Sequence, residues 1–249
     1  MDLGLTGRVA IVTGGSRGIG KAIALQLASE GVDVAICARQ RSALDEAAKD
    51  LEKQTGRRIL PIVADTTNSE SVAHLVDATL KALGRIDVLV NNASTPGGMV
   101  RGPLAEADEK TLLEDIDTKV VGYMRCAKAV APHMQKSRWG RIINIGGLSG
   151  RRSGNISGLR NAAIVHLTKT LADELGTHGI TVNLVHPGQT RTERTDAETE
   201  RRAASNAIRR IVDAQEIGHV VTFLASTKAA NVTGVAIDAS GGSIPVMFQ

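Results

Sequence analysis

The chain has 249 residues, of which 42% are hydrophobic, and a formal net charge of +4. That length suits one α/β domain with a sizeable core, and a single domain over 1–249 is expected. Aromatic residues are only 2% of the chain and the arginines are interleaved with acids, as in RTERTDAETERR at 191–202, so no stacking surface or basic patch points to nucleic acid.

Short β-branched runs alternate with longer amphipathic stretches. Strands are predicted at 9–12, 32–38, 59–63, 86–90, 141–145, 180–185 and 235–237, with helical patterns such as KAIALQLASE at 21–30 and RSALDEAAKDLEKQ at 41–54 between them. This alternation, with nearly continuous apolar strands, predicts a doubly wound, Rossmann-type parallel sheet of seven strands with helices on both faces. The one long interruption, 187–211, falls beyond a strand's carboxyl end, where ligands bind in open α/β sheets. It is either a substrate lid or a solvated helical loop. No apolar run approaches the roughly 18 residues that cross a membrane. MDLGLTGRV at the start has no basic segment followed by an apolar one, so no secretory signal is expected. Cys37 and Cys126 lie far apart in apolar runs and are expected to be free, buried thiols, in keeping with a cytoplasmic location. His166 and His186 lack ligand-like spacing, so no metal site is expected; His186, beside Pro187 at the mouth of the sheet, either meets substrate or has no role.

The first strand runs into Thr13-Gly14-Gly15-Ser16-Arg17-Gly18-Ile19-Gly20 and then a helix. Glycines here allow a sharp turn and close approach of a diphosphate, whose charge the helix N-terminus favours. The second strand ends in Ala38-Arg39. An acid at this point grips a ribose 2′-hydroxyl, whereas arginine favours a 2′-phosphate. Arg39, with Arg17 as a second phosphate partner, therefore favours NADP(H), with NAD(H) possible.

These motifs resemble those of the short-chain dehydrogenases/reductases, in particular the group that includes the bacterial 3-oxoacyl-carrier-protein reductases. The resemblance spans nearly the whole chain: TGGSRGIG at 13–20, Asp65 after the third strand, NNAS at 91–94, PGQTRT at 187–192 and GVAIDASGG at 234–242. It implies that Gly14, Ser16, Arg17, Gly18, Ile19 and Gly20 cradle the cofactor, that Asp65 bonds the adenine amine with Thr66 beside it, that Asn92 sits under the adenosine ribose, and that Thr190 and Thr192 meet the nicotinamide end. It also implies a homodimer or homotetramer acting on a small molecule; the apolar tail SIPVMFQ at 243–249 suits burial against a partner copy.

The family's proton donor is a tyrosine, tuned by a lysine four residues later, with a serine that polarises the carbonyl and an asparagine that anchors a water relay. Here the only tyrosine, Tyr123, precedes the fifth strand, and no lysine occurs between Lys136 and Lys169. Counting back from LTKTLADEL puts Ser157 at the tyrosine position and Asn161 at the lysine position. Gly147 then stands for the serine and Lys119 for the asparagine, so amine and amide have exchanged places. Lys119 and Tyr123 are spaced i, i+4 and share a helix face. They suggest a rebuilt acid/base pair, with Ser149 and Ser157 as carbonyl donors; packing for Tyr123 and solvation for Lys119 are the simpler alternatives. Three functions follow: an NADP-dependent oxidoreductase with a non-standard donor, a non-redox enzyme (isomerase, cyclase or lyase) on the same scaffold, or a non-catalytic nucleotide-binding protein. The first is favoured.

Overall fold

A computed structural model describes residues 2–100, 102–151 and 154–244. The apolar tail's last part, 245–249, lies outside the described residues. In chain order the strands are β1 (Val9–Thr13), β2 (Asp33–Ala38), β3 (Ile59–Val63), β4 (Val88–Asn91), β5 (Gly140–Ile145), β6 (Ile180–Pro187), β7 (Thr190–Arg191), β8 (Val212–Asp213) and β9 (Ala236–Ala239). The helices are α1 (Gly18–Ser29), α2 (Arg41–Thr55), α3 (Ser69–Leu83), α4 (Glu109–Ile116), α5 (Gly122–Ser137), α6 (Gly158–Leu175), α7 (Ala197–Ala203) and α8 (Ala214–Ala225). A π turn over Asp117–Val121 joins α4 to α5 without a break.

Seven strands form one parallel sheet in the order β3-β2-β1-β4-β5-β6-β9, while β7 and β8 pair separately. The predicted strands are all present, each within two residues of its expected bounds. The sheet is apolar on both faces because successive side chains alternate. Ala10 and Val12 of β1 join the core beneath α1, α2 and α8, whereas Ile11 joins the opposite core beneath α3 and α5. Both cysteines are free and buried, as expected. No helix among the described residues is long and apolar enough to cross a membrane.

The strand order reverses between β1 and β4, and the cleft opens there, at the carboxyl edge. A buried polar ladder fixes the elements around it. Asn91 Nδ2 donates to Asn144 Oδ1 at 2.9 Å and to Tyr123 O at 3.3 Å, and Asn144 Nδ2 donates to Thr168 Oγ1 at 2.9 Å. Thr168 Oγ1 in turn donates to Ile164 O at 2.7 Å. The three side chains thus tie β4, β5, α5 and α6 together at 0–2% exposure. Replacing Asn144 with leucine keeps the volume but leaves an amide and a hydroxyl short of partners. The expected loss of stability is about 1–3 kcal/mol, read as a lower denaturant midpoint with the fold intact; an unchanged midpoint would show that the ladder stabilises nothing.

Candidate active site

The glycine-rich turn forms one wall of a cleft of about 730 Å3. Its shape depends on the absence of side chains. A Cβ on Gly20 would stand 2.3 Å from Gly14 O, a backbone atom, and Gly14 itself takes φ +65. Thr13 Oγ1 accepts from Asn92 N and Ala93 N at 2.9 and 3.0 Å, and Asn92 Nδ2 returns bonds to Thr13 O and Gly14 O at 2.9 and 3.2 Å. Asn92 therefore braces the turn from β4. Its side-chain N–H groups face the turn, while the residue lines the cleft. Ser16, Arg17, Gly18 and Ile19 complete this wall. A cradle that an added Cβ would fill, opening onto the N-terminus of a 12-residue helix, fits a dinucleotide diphosphate.

Arg39 follows β2, exposed at the cleft's outer end. Among the described residues neither Arg39 nor Arg17 makes a side-chain hydrogen bond or ion pair, so both are available to a phosphate. Asp65 and Thr66 line the same end. Burial raises the Asp65 carboxyl, but hydrogen bonds from Thr67 N and Oγ1, with Arg39 and Arg125 nearby, more than offset it and hold the group below the usual carboxylate value. Thr190 and Thr192 line the opposite wall on the 187–211 segment, with Arg194, Thr195 and Thr199 beyond them.

The inner end of the cleft is built around Lys119. This residue lies in the π turn, where the widened backbone turn often marks functional sites. Its side chain is 2% exposed yet lines the cleft. Nζ donates to Gly146 O at 2.9 Å and to Asn161 Oδ1 at 2.8 Å, and Asn161 Nδ2 donates onward to Ser149 Oγ at 2.8 Å. Burial, reinforced by the Arg160 guanidinium and opposed by Asp115, pushes the Lys119 amine down to about 7. Lys119, Asn161 and Ser149, three residues separated in sequence, are thus one hydrogen-bonded chain on the cleft wall.

Three other candidates lie elsewhere. Tyr123 is 1% exposed and absent from the cleft lining. Its hydroxyl donates to Ile145 O at 3.1 Å, and burial raises the phenol above its ordinary value. Lys119 Nζ lies 5.9 Å from the centre of its ring. The two residues are adjacent as the spacing expects, but the phenol is not bonded to the amine and faces the strand, not the cleft. Ser157 is also buried. Its Oγ accepts from Val100 N at 3.0 Å and donates to Val100 O at 3.3 Å, so it pins the loop that follows β4. His186 is completely buried, with Nδ1 accepting from Gly147 N at 3.0 Å, so it holds the start of the Ser149 turn instead of meeting substrate. Burial pushes its imidazole down to about 4 against the opposing pull of Asp238. Among the described residues no cluster of metal-ligating side chains occurs.

One feature had no signal in the sequence. Arg160 and Asp115, 45 positions apart, form a buried ion pair at 2.7 Å. Arg160 Nη2 also donates to Thr95 O, and Asp115 Oδ2 accepts from Met99 N. The pair fastens the 94–100 loop beside the cleft.

Known proteins resemble this chain over nearly its whole length. The short chain dehydrogenase family model matches residues 8–203. A 3-oxoacyl-(acyl-carrier-protein) reductase of Pseudomonas aeruginosa is 38% identical over 249 residues, which cover 96% of this chain and 98% of that protein. Among solved structures, L-sorbose reductase from Gluconobacter frateurii, complexed with NADPH and L-sorbose, superposes with a TM-score of 0.91 at 28% identity, covering 99% of this chain and 100% of that one. An NADPH dependent reductase involved in bacilysin biosynthesis superposes with a TM-score of 0.89 at 29% identity, covering 96% and 99%. With the family model matching residues 8–203 and the Pseudomonas aeruginosa reductase 38% identical over nearly its whole length, the chain belongs to the short-chain dehydrogenase/reductase family of oxidoreductases.

Proposed function

We propose that the protein is an NADP(H)-dependent reductase of a small carbonyl compound whose proton donor is Lys119. The chain Lys119–Asn161–Ser149 carries this reading. Its donors all run one way: the ammonium donates to the amide oxygen, and the amide nitrogen donates to the serine oxygen. The Ser149 hydroxyl hydrogen is then left to point into the cleft, where it polarises a carbonyl oxygen. A bound dihydronicotinamide supplies the hydride. Lys119 supplies the proton to the same oxygen, because a buried amine brought to about 7 gives up its proton readily at neutral pH. Gly146 O and Asn161 Oδ1 hold Nζ in place as it does so. The 187–211 segment, facing the turn across the cleft through Thr190, Thr192 and Thr195, acts as the substrate lid.

The cofactor preference rests on Arg39. It follows β2 at the cleft's outer end, and among the described residues its side chain makes no hydrogen bond or ion pair, which leaves it available to an NADP 2′-phosphate. The NADPH-bound and NADPH-dependent neighbours are consistent with this choice. The alternatives, a non-redox enzyme or a nucleotide-binding protein without catalysis, are separated by one absorbance experiment. NADPH oxidation in the presence of a panel of ketones, enones and imines supports the reductase, whereas tight NADPH binding without oxidation by any of them rejects it.

Reduction requires the protonated amine, so its rate is expected to fall as pH rises through about 7. Lys119→Met should cost about 10²–10⁴-fold in kcat and remove that pH dependence. Tyr123→Phe should leave turnover within about twofold and cost only about 0.5–1.5 kcal/mol of stability, the worth of one hydrogen bond. A hundredfold loss in Tyr123→Phe would instead make the phenol the donor. For the cofactor, Arg39→Ala is expected to weaken NADPH by about tenfold and leave NADH unchanged; equal losses for both, by fluorescence titration, would remove the 2′-phosphate assignment.

A further inference from the structure

The lid brings two charged side chains to the glycine-rich turn that the motifs do not account for. Glu193 and Arg194 follow β7 after Thr192. Glu193 Oε2 accepts from Gly18 N at 3.2 Å. Gly18 opens α1, and the first amides of a helix have no partner within it, so a carboxylate here is a favourable cap. Glu193 stands on the outer side of the turn, in a separate groove it shares with Lys21, Asp50 and Asp213. Arg194 faces the other way. It lines the cleft, and its Nη2 lies 4.0 Å from where a Cβ on Gly18 would stand. Among the described residues its only ion pair is a loose 3.7 Å contact with Glu193, and its side chain is half exposed. The guanidinium therefore reaches the cleft side of the turn with most of its donors uncommitted.

We propose that Arg194 binds the dinucleotide's diphosphate from the lid side, opposite the amides of the turn, and that Glu193 is a positioning residue that pins the lid to Gly18 so that Arg194 is aimed inward. This rests on the dinucleotide reading above. The chemistry on the two sides of the diphosphate is complementary. The turn offers amide dipoles through a backbone that glycines allow to come close, and Arg194 offers a full charge on a planar fork that matches two phosphate oxygens. Thr192 and Thr195 flank Arg194 on the same segment, with Thr192 Oγ1 accepting from Arg194 N at 3.3 Å and Thr195 Oγ1 accepting from Thr192 N at 2.9 Å.

Equilibrium titrations with NADPH, NADH and ADP-ribose test this, because ADP-ribose keeps the diphosphate but lacks both the nicotinamide and the 2′-phosphate. Arg194→Met is expected to weaken all three by a similar factor, about five- to tenfold, and Arg194→Lys to recover part of the loss. Arg39→Ala, in contrast, weakens NADPH alone. Glu193→Ala is expected to weaken all three in the wild-type background and to add nothing in Arg194→Met. Circular dichroism confirms that the variants fold. If the wild-type protein binds none of the three ligands, the dinucleotide reading itself fails. If it binds them and Arg194→Met binds them equally well, or loses NADPH alone, the diphosphate role of Arg194 is overturned. If the Glu193→Ala and Arg194→Met losses add independently, the anchoring role of Glu193 is overturned.

Discussion

An amine carried to the inside of a protein has to find acceptors or lose its proton, and the inner end of this cleft is organised around that requirement. The Lys119 side chain is 2% exposed. Leaving a charged group there without partners would cost several kcal/mol. Its acceptors are one backbone oxygen and one amide oxygen, Gly146 O and Asn161 Oδ1, and glycines stand beside both at the end of β5. A Cβ on Gly146 would come within 2.5 Å of His186 Nδ1, and one on Gly147 would come within 2.9 Å of Asn161 Nδ2. A serine at 147 would therefore crowd the amide that now links Lys119 to Ser149. The residues at 119, 147 and 161 fit one another: Lys119 bonds Asn161, and Gly147 leaves room for the Asn161 amide.

The same logic extends to Ser157. A Cβ on Gly98 would stand 2.2 Å from Ser157 Cβ, so the loop backbone fills the space above the serine. A larger side chain at 157 would displace that backbone. The loop is held down from three directions, by Ser157 at Val100, by Asp115 at Met99 and by Arg160 at Thr95. The buried Arg160–Asp115 pair thus has two effects. It is a clamp on the rim of the cleft, and it sets the field at Lys119, with Arg160 disfavouring the ammonium and Asp115 favouring it. Breaking such a pair by removing one partner leaves an uncompensated buried charge, so the two residues depend on each other as strongly as the loop depends on both.

The fold was legible because parallel strands buried on both faces are written as apolar runs, and their spacing forces helices between them. The glycine-rich turn was legible because its chemistry is local: Gly14, Gly18 and Gly20 lie within one turn and the start of one helix. The inner site was legible only in part. Lys119, Asn161 and Ser149 could be placed one by one, but their bonding depends on how the π turn, α6 and the turn after β5 meet in space. The i, i+4 spacing of Lys119 and Tyr123 correctly made them neighbours, yet the π turn and the carbonyl of Ile145 decide where the phenol points. Arg160 and Asp115 gave no signal, since an arginine and an aspartate on separate helices resemble solvated surface charges until the chain is folded.

The buried amine also leaves a mark on stability that is independent of catalysis. Its folded value, about 7, lies below the ordinary lysine value of 10.5. Between those limits the unfolded chain binds more protons at this site than the folded one, so the site's contribution to stability rises as pH rises through that window and levels off above it. Other groups titrate in the same range, and Lys119→Met cancels them by comparison. The difference in denaturant midpoint, wild type minus Lys119→Met, is expected to increase between pH 6.5 and 9.5. A flat difference would mean that the amine keeps an ordinary ionisation in the folded protein, and Lys119 would then be a fixed charge that orients Asn161 and Ser149 without donating a proton.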